Sequence, residues 1–504
     1  MLRPNQFPMF RLLAAAALAL ALAAPARATD YTWVGGDPGG DLWDTVANWS
    51  PPSTGYPVSG DTATFDASAA AVNRAVDLGS SGQAADVVVL QTSDGTGYTI
   101  GSLGGYTLTV NVRIEQLGTD AAAIACRLAM GATALELNVA GGAGDLTISG
   151  DISGAGGLTK TGAGTAILSG NNLAMPGPVQ IAGGTLSVAA GGALGDGSFT
   201  NTVTINSGVL QVTGTTTIGQ AIVVGATDSE IMVTGSADVT QTGQITGVGA
   251  ALNKTGTGRL ILQSGVGSST HTSTFVQGGT LALGLSDQLD DTSTLWIDGG
   301  VFDVGAYNDT VGVVRLNAGS VTGTTGTLTA GSYDVRSGAA SAILGGGGAG
   351  GLAKSTAGTV LLSGTNTFTG GVAINEGTLS ITQAAALGDA GNTITLAGGT
   401  LNATQSMALA YPMTVTGAGS ALGADAGKRM VVLSAVLGTE GLEIKGDGYV
   451  YLTNAANNFG GTDKAVTVTD GILSIGKYQV LGKGATKLVL DGGTLEVTAG
   501  PPAG

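Results

Sequence analysis

A unit of a dozen residues returns four times along this chain at nearly constant spacing, and such recurrence restricts the fold before any local reading is made. The first copy runs from Gly157-Leu158-Thr159-Lys160-Thr161-Gly162 to Thr165-Ala166-Ile167-Leu168. It recurs from Ala251 to Leu262, from Gly351 to Leu362 and, more weakly, from Gly441 to Leu452. The lysines 160, 254, 354 and 445 lie 94, 100 and 91 residues apart. A second signature follows each copy: Thr185-Leu186-Ser187-Val188, Thr280-Leu281-Ala282-Leu283, Thr378-Leu379-Ser380-Ile381 and Ile472-Leu473-Ser474-Ile475. From Leu186, Leu281, Leu379 and Leu473 the steps to the equivalent Leu210, Phe302, Leu401 and Leu495 are 24, 21, 22 and 22 residues. A period of that size suits one turn of a solenoid, with about three short strands and their corners.

The alternation within each unit agrees. Leu186 and Val188 point one way while Thr185 and Ser187 point the other, and Leu260 with Leu262, or Val360 with Leu362, fall on the inner face. Glycine pairs before the strands (Gly183-Gly184, Gly278-Gly279, Gly398-Gly399, Gly492-Gly493) provide the positive φ that sharp corners need. Counted from its lysine, the fourth copy lacks one residue before Leu452, which reads as a shortened loop rather than a slipped strand. Residues 129 to 497 then hold roughly 17 rungs, a rod on the order of 80 Å long at about 4.8 Å per rung. The expected fold is all-β: a right-handed parallel β-helix (solenoid) with an N-terminal β-rich cap.

Composition fixes the compartment and excludes several partners. Arg3 and Arg11, the apolar run Leu12 to Ala24 and the small-residue pattern Ala26-Arg27-Ala28 read as a secretory signal peptide cleaved after Ala28. Its apolar core is too short to span a bilayer comfortably, and no later stretch has the length and apolarity of a transmembrane helix. Without Arg3, Arg11 and Arg27 the chain keeps 16 basic residues against 35 acidic, a net charge near −19. Nucleic acid and anionic lipid are therefore not expected partners. Charged residues are only 11% of the chain, too few for an acidic disordered tail. Cys126 stands alone, so no internal disulfide forms, and it reads as a small buried hydrophobe in a strand.

The pattern G-L-x-K-x-G-x-G-x-x-x-L-S-G-x-N followed by G-G-T-L-x-V resembles the autotransporter-associated β-strand repeat. It is carried by Gly157 to Asn171, by Gly351 to Gly371, and by the second copy, which departs after Leu262 with Gln263-Ser264-Gly265 and no asparagine. The resemblance spans roughly residues 130 to 500 and implies a β-helix, translocation across the outer membrane and a place at the cell surface. Upstream, Trp33, Trp43 and Trp49 with Asp61 to Phe65 resemble the lead segment found ahead of such repeats. Those rings read as a cover for the open end of the solenoid, with sugar stacking as the functional alternative. Autotransporters end in a membrane β-barrel. No such segment precedes Gly504, so the resemblance implies a barrel further downstream, a released passenger, or anchoring by another protein.

Catalytic chemistry finds little footing. His271 is the only histidine and reads as a solvated loop residue. One histidine and one cysteine cannot assemble a zinc site of the usual kind. Asp287, Asp290 and Asp291 form the densest carboxylate group, the feature a β-helix polysaccharide lyase or glycoside hydrolase would need, but they fall in a turn that the other copies repeat plainly. Gly141 to Asp145 approaches a calcium-binding repeat with its aspartate one position early, and Gly346 to Ser355 approaches a phosphate loop without the glycine before Lys354. The four repeat lysines read as outward, solubilising positions. The domains expected are 1–28 signal peptide, 29–128 tryptophan-rich cap and first coils, and 129–504 β-helix. The function expected is a secreted or surface-displayed adhesin-type passenger, not an enzyme, with no catalytic, cofactor or metal residues. Glycans, matrix or other cell-surface components are the partners such a rod would meet, beside the translocation machinery that the resemblance implies.

Overall fold

The computed structural model describes residues 28–498 except 39, 53, 54, 248, 347, 349 and 485. The signal-peptide reading lies outside the described residues, Ala28 apart. Short strands of 2 to 5 residues dominate, joined by tight corners and a few 3-10 turns. Strand pairing is parallel from coil to coil throughout, with one antiparallel exception at Asp30–Trp33 and Trp49–Ser50. The result is a parallel β-solenoid of about 20 turns. No helix among the described residues is long and apolar enough to cross a membrane.

The periodicity read from sequence is the pairing register. Leu186 lies opposite Leu210, Leu281 opposite Phe302, Leu379 opposite Leu401 and Leu473 opposite Leu495. Turn length varies: Trp296 meets Arg315 after 19 residues, whereas Ala122 meets Leu146 after 24. The first coils are longer still, with Asp30 paired to Thr62 and Val87 to Arg113. Pairing crosses residues 128 and 129 without a break, through Leu128 with Ile152 and Ile114 with Leu137.

Inward side chains stack into aliphatic ladders parallel to the rod. Leu186, Leu210 and Ile231 form one segment, and Val276, Ile297, Leu316 and Val335 form another, all buried. Each ladder removes its side chains from water on both neighbouring coils, at about 25 cal/mol per Å² of apolar area.

The long repeat is not a whole number of turns. Lys160 stacks under Ile181, Ile205 and Val224. Lys254 instead stacks on Ile231, in the ladder begun by the second signature of copy one. Lys354 returns to the ladder of Lys254 after five coils. In copy four the strand Leu442–Lys445 again shifts, onto the ladder of Leu379, Leu401 and Leu422. Unequal corner lengths carry the repeated unit around the rod as well as along it.

Copy four also corrects the alignment. Ile444, not Lys445, is the buried inward residue, and it precedes Leu452 by eight positions, as Lys160 precedes Leu168. No residue is missing. The lysine has moved one place outward and pairs with Glu443 at 2.5 Å.

Removing an inward side chain should matter far more than removing its outward neighbour. Leu401→Ala is expected to cost about 2–5 kcal/mol, and Thr400→Ala within about 0.5 kcal/mol. Hydrogen exchange resolved by coil is the suitable measurement, since a solenoid need not unfold in one step. Equal effects of the two substitutions would contradict the assigned face.

Candidate functional site

The polar chemistry of this molecule is concentrated at its corners. Lys160, Lys254 and Lys354 are fully buried, contrary to the outward, solubilising role expected of them. Each occupies an inward ladder position, so its methylenes lie among aliphatic neighbours and only the ammonium reaches the corner. The Lys160 Nζ donates to the carbonyls of Thr161 (2.6 Å), Gly162 (2.8 Å) and Gly183 (3.2 Å). The Lys254 Nζ donates to Thr255 (2.7 Å), Gly256 (3.4 Å), Gly258 (3.0 Å) and Gly278 (3.1 Å). That of Lys354 donates to Thr356 and, at 3.1 Å, to Glu376. Every ammonium therefore ties its own corner to the corner of the next coil.

Burial pushes Lys160 and Lys254 down to about 8 and also lowers Lys354, where the Glu376 and Asp334 carboxylates oppose the shift. The carbonyl cradle favours the charged form, because a neutral amine would aim its lone pair at other lone pairs.

A second corner device is asparagine. Asn172 Oδ1 accepts from the Ile152 N–H (2.7 Å) and its amide donates to the Ala193 carbonyl (2.6 Å), bridging three successive coils. Asn366 does the same between Leu344 and Ala386, and Asn457 between Val436 and Val480. The bridging residue in copy one is Asn172; the backbone N–H of Asn171 instead bonds Asp151. Copy two lacks the asparagine: Ser269 stands at the corresponding place, its N–H bonded to the Gln288 carbonyl (2.9 Å), and one coil beyond Gln288 lies Asp309, a residue the sequence did not single out. Its buried carboxylate accepts from the N–H groups of Gln288 (3.1 Å) and Leu289 (3.2 Å) one coil earlier. Burial raises it to about 7 against those bonds.

The remaining sequence candidates fall apart spatially or chemically. His271 is not solvated: it is buried, with Nε2 2.7 Å from the inward Thr274 Oγ1, and burial lowers it to about 4. Thr274 stands between Leu252 and Leu295 in the ladder, and its buried hydroxyl finds its polar partner in the His271 ring. Cys126 is buried, at a corner between strands rather than in one, with its thiol pushed up to about 11. Asp287 and Asp291 are exposed, and the Asp290 carboxylate is engaged by Thr292. Gly141 to Asp145 is the turn between Leu135–Val139 and Leu146–Ile148. Lys354, inward and bound to carbonyls, is not placed to hold a phosphate. No group of three or more His, Cys, Asp or Glu side chains gathers for a metal among the described residues.

The aromatic candidates divide in two. Trp33, Trp43 and Trp49 are buried and packed edge to face with one another and Phe65, so no ring face is open to a sugar. Their indole N–H groups donate to the carbonyls of Asn73 (2.9 Å), Pro57 (3.4 Å) and Trp43 (2.7 Å), respectively. The fourth tryptophan, Trp296, lies half-buried on an outward ladder. Phe275 stacks against it at 5.5 Å and Arg315 covers it at 4.5 Å.

Fold and corners together define a parallel β-solenoid with lysine- and asparagine-bridged coils. The chain matches the passenger-associated-transport-repeat family at residues 158–188, 252–283 and 352–381, so these three segments are similar to the repeat found in passenger proteins. Each matched segment starts on the strand of a buried lysine and ends on the second signature; the copy with Ile444 is not among them. The chain is also 34% identical over 259 residues to the adhesin BmaC autotransporter of Brucella suis biovar 1 (strain 1330). That match covers 45% of this chain and 7% of the relative, so the chain spans a small part of that protein's length. No solved structure matches the chain.

Two measurements test the lysine corners. An amine-reactive ester should modify Lys445 and Lys487 in the native protein and spare Lys160, Lys254 and Lys354 until it unfolds. Lys254→Met should cost about 1–3 kcal/mol by stranding buried carbonyls. The folded value near 8 lies below the unfolded value, so the unfolded chain holds more protons between the two. The stability of the native protein relative to Lys254→Met should therefore rise from pH 8 to about 10.4.

Proposed function

We propose that this chain is the adhesin-type passenger of an autotransporter, exported across the outer membrane and displayed at the bacterial surface or released from it. The observation that carries the reading is the conjunction of an unbroken parallel β-solenoid with three passenger-associated-transport repeats placed on its lysine-bridged coils. Support comes from the relative named as an adhesin autotransporter. The molecule acts by reach and surface rather than by bond chemistry: a stiff acidic rod that presents its outer faces to glycans, matrix or other cells. Its excess of acidic over basic residues keeps the rod soluble and limits non-specific sticking. The buried tryptophan cluster serves as the end cover, since an exposed first coil would leave unpaired strand edges. No observation favours the lyase or hydrolase reading.

The reading is tested by fusing the chain to an autotransporter barrel and displaying it on an otherwise non-adherent bacterium. External protease should release the rod from intact cells, and the cells should gain attachment to a panel of glycan- and matrix-coated surfaces. Intracellular retention would count against display. Depolymerisation of any acidic polysaccharide by the purified chain would replace the adhesin reading with an enzymatic one.

A further inference from the structure

The four equivalent corners share one backbone geometry, and only three of them contain an ammonium. Gly184, Gly279, Gly377 and Gly471 all sit at φ between 58° and 65°. A Cβ at each would collide with two carbonyls of the corner one coil earlier. These are Gly162 and Gly164 (both 2.4 Å), Gly256 and Gly258 (2.6 and 2.3 Å), Thr356 and Gly358 (both 2.4 Å), and Gly446 and Gly448 (2.1 and 2.7 Å). The carbonyl pair thus converges in copy four as it does in the others.

The second carbonyl of each pair, Gly164, Gly258, Gly358 and Gly448, accepts the N–H of the following strand, and in the first three copies a buried lysine bonds the first carbonyl. In copy four the inward residue is Ile444, two atoms shorter than a lysine and apolar at its tip. Lys445 points outward and is bound to Glu443. Among the described residues no donor bonds to the carbonyls of Gly446 or Asp470, the counterparts of Gly162 and Gly183.

The charge of the corner has changed in the same copy. Asp447 stands where the other copies have Ala163, Thr257 and Ala357, and Asp470 where they have Gly183, Gly278 and Glu376. Both aspartates are exposed on the corner. A carboxylate at the second of these positions acts on the occupant of the cradle: Glu376 opposes the fall in the Lys354 pKa. Copy four therefore trades one buried positive charge for two carboxylates around the same converging carbonyls.

We propose that the corner formed by Lys445 to Gly448 and Asp470-Gly471 binds a calcium ion in place of the lysine ammonium of the other copies. Hard oxygen donors, carbonyl and carboxylate, suit calcium, and solvent supplies the remaining ligands on the exposed side. Two carboxylates favour a divalent over a monovalent ion where neutral carbonyls alone hold a single positive charge. The proposal goes beyond the passenger reading and stands whatever the rod adheres to.

The test is calorimetric titration of the chelator-treated chain with calcium chloride, joined to thermal unfolding in calcium and in chelator. One saturable site is expected, with a higher Tm in calcium. Asp447→Asn with Asp470→Asn, both on the exposed corner, should weaken binding at least tenfold. Ile444→Lys should abolish binding and make the Tm insensitive to chelator, because the ammonium refills the cradle. Three results would overturn the proposal: no saturable binding at millimolar calcium, binding that survives both sets of substitutions, or equal stabilisation by sodium or potassium alone. Should Ile444→Lys fail to fold, the aspartate pair decides.

Discussion

Everything in this molecule depends on parallel register between one coil and the next. A strand of four residues cannot bury an apolar face or satisfy its backbone alone; stacked on two neighbours it does both. Because side chains alternate, register also decides which residues enter the core, and a slip of one position would turn each aliphatic ladder outward. Corners may vary in length, as the 19- to 24-residue turns show, provided that they return the strand to the same phase. Copy four illustrates the constraint. The phase of Leu442, Ile444 and Leu452 is kept while the lysine moves, so the lysine and not the strand changed position.

The same stacking creates the problem that the buried polar residues solve. Sharp corners place carbonyls where no strand partner reaches them, and an unmatched buried carbonyl costs about as much as a lost hydrogen bond. A lysine entering from the ladder has a long apolar stem for the core and three donors for the corner, so one residue serves both. Asparagine serves where an acceptor and a donor are needed together, between the coil before and the coil after. Such bridges fix neighbouring coils against sliding as well as separating, which hydrophobic ladders alone would permit.

This division explains what could be read from sequence. The solenoid, the pairs Leu186 with Leu210 and Leu379 with Leu401, and the inward faces were legible because they follow from period and alternation, which are properties of the chain itself. The lysines were misread because charge is a strong guide to exposure only when nothing buried can answer it; four backbone carbonyls from two coils are invisible in sequence. Strict alternation did hold the clue, since Lys160 shares the parity of Leu158 within one strand. His271 was misplaced for a similar reason: its partner, Thr274, is a polar residue at a position whose neighbours on adjacent coils are Leu252 and Leu295. Asp309 could be located only once three-dimensional stacking placed it one coil after Gln288.

The drift of the long repeat around the rod bears on where recognition can occur. Were each superrepeat a whole number of turns, its loops would line up on one face and present a periodic stripe. Copies one to two and three to four instead advance by an extra face, so equivalent loops point in different directions. Under the proposed passenger reading, recognition is then better sought in features that are not repeated. The outward ladder of Phe275, Trp296, Arg315 and Asp334 is of this kind, with an aromatic pair and a guanidinium on three successive coils; in copy four Arg429 instead meets Tyr449, whose stacked partner Tyr451 lies in the same strand. Yet the two faces of the Trp296 ring are taken by Phe275 and Arg315, so a ligand there would meet ring edges and the polar residues alongside. A repeated scaffold with unrepeated faces lets the core conserve one solution while the surface varies, because outward positions of a solenoid bear little of its stability.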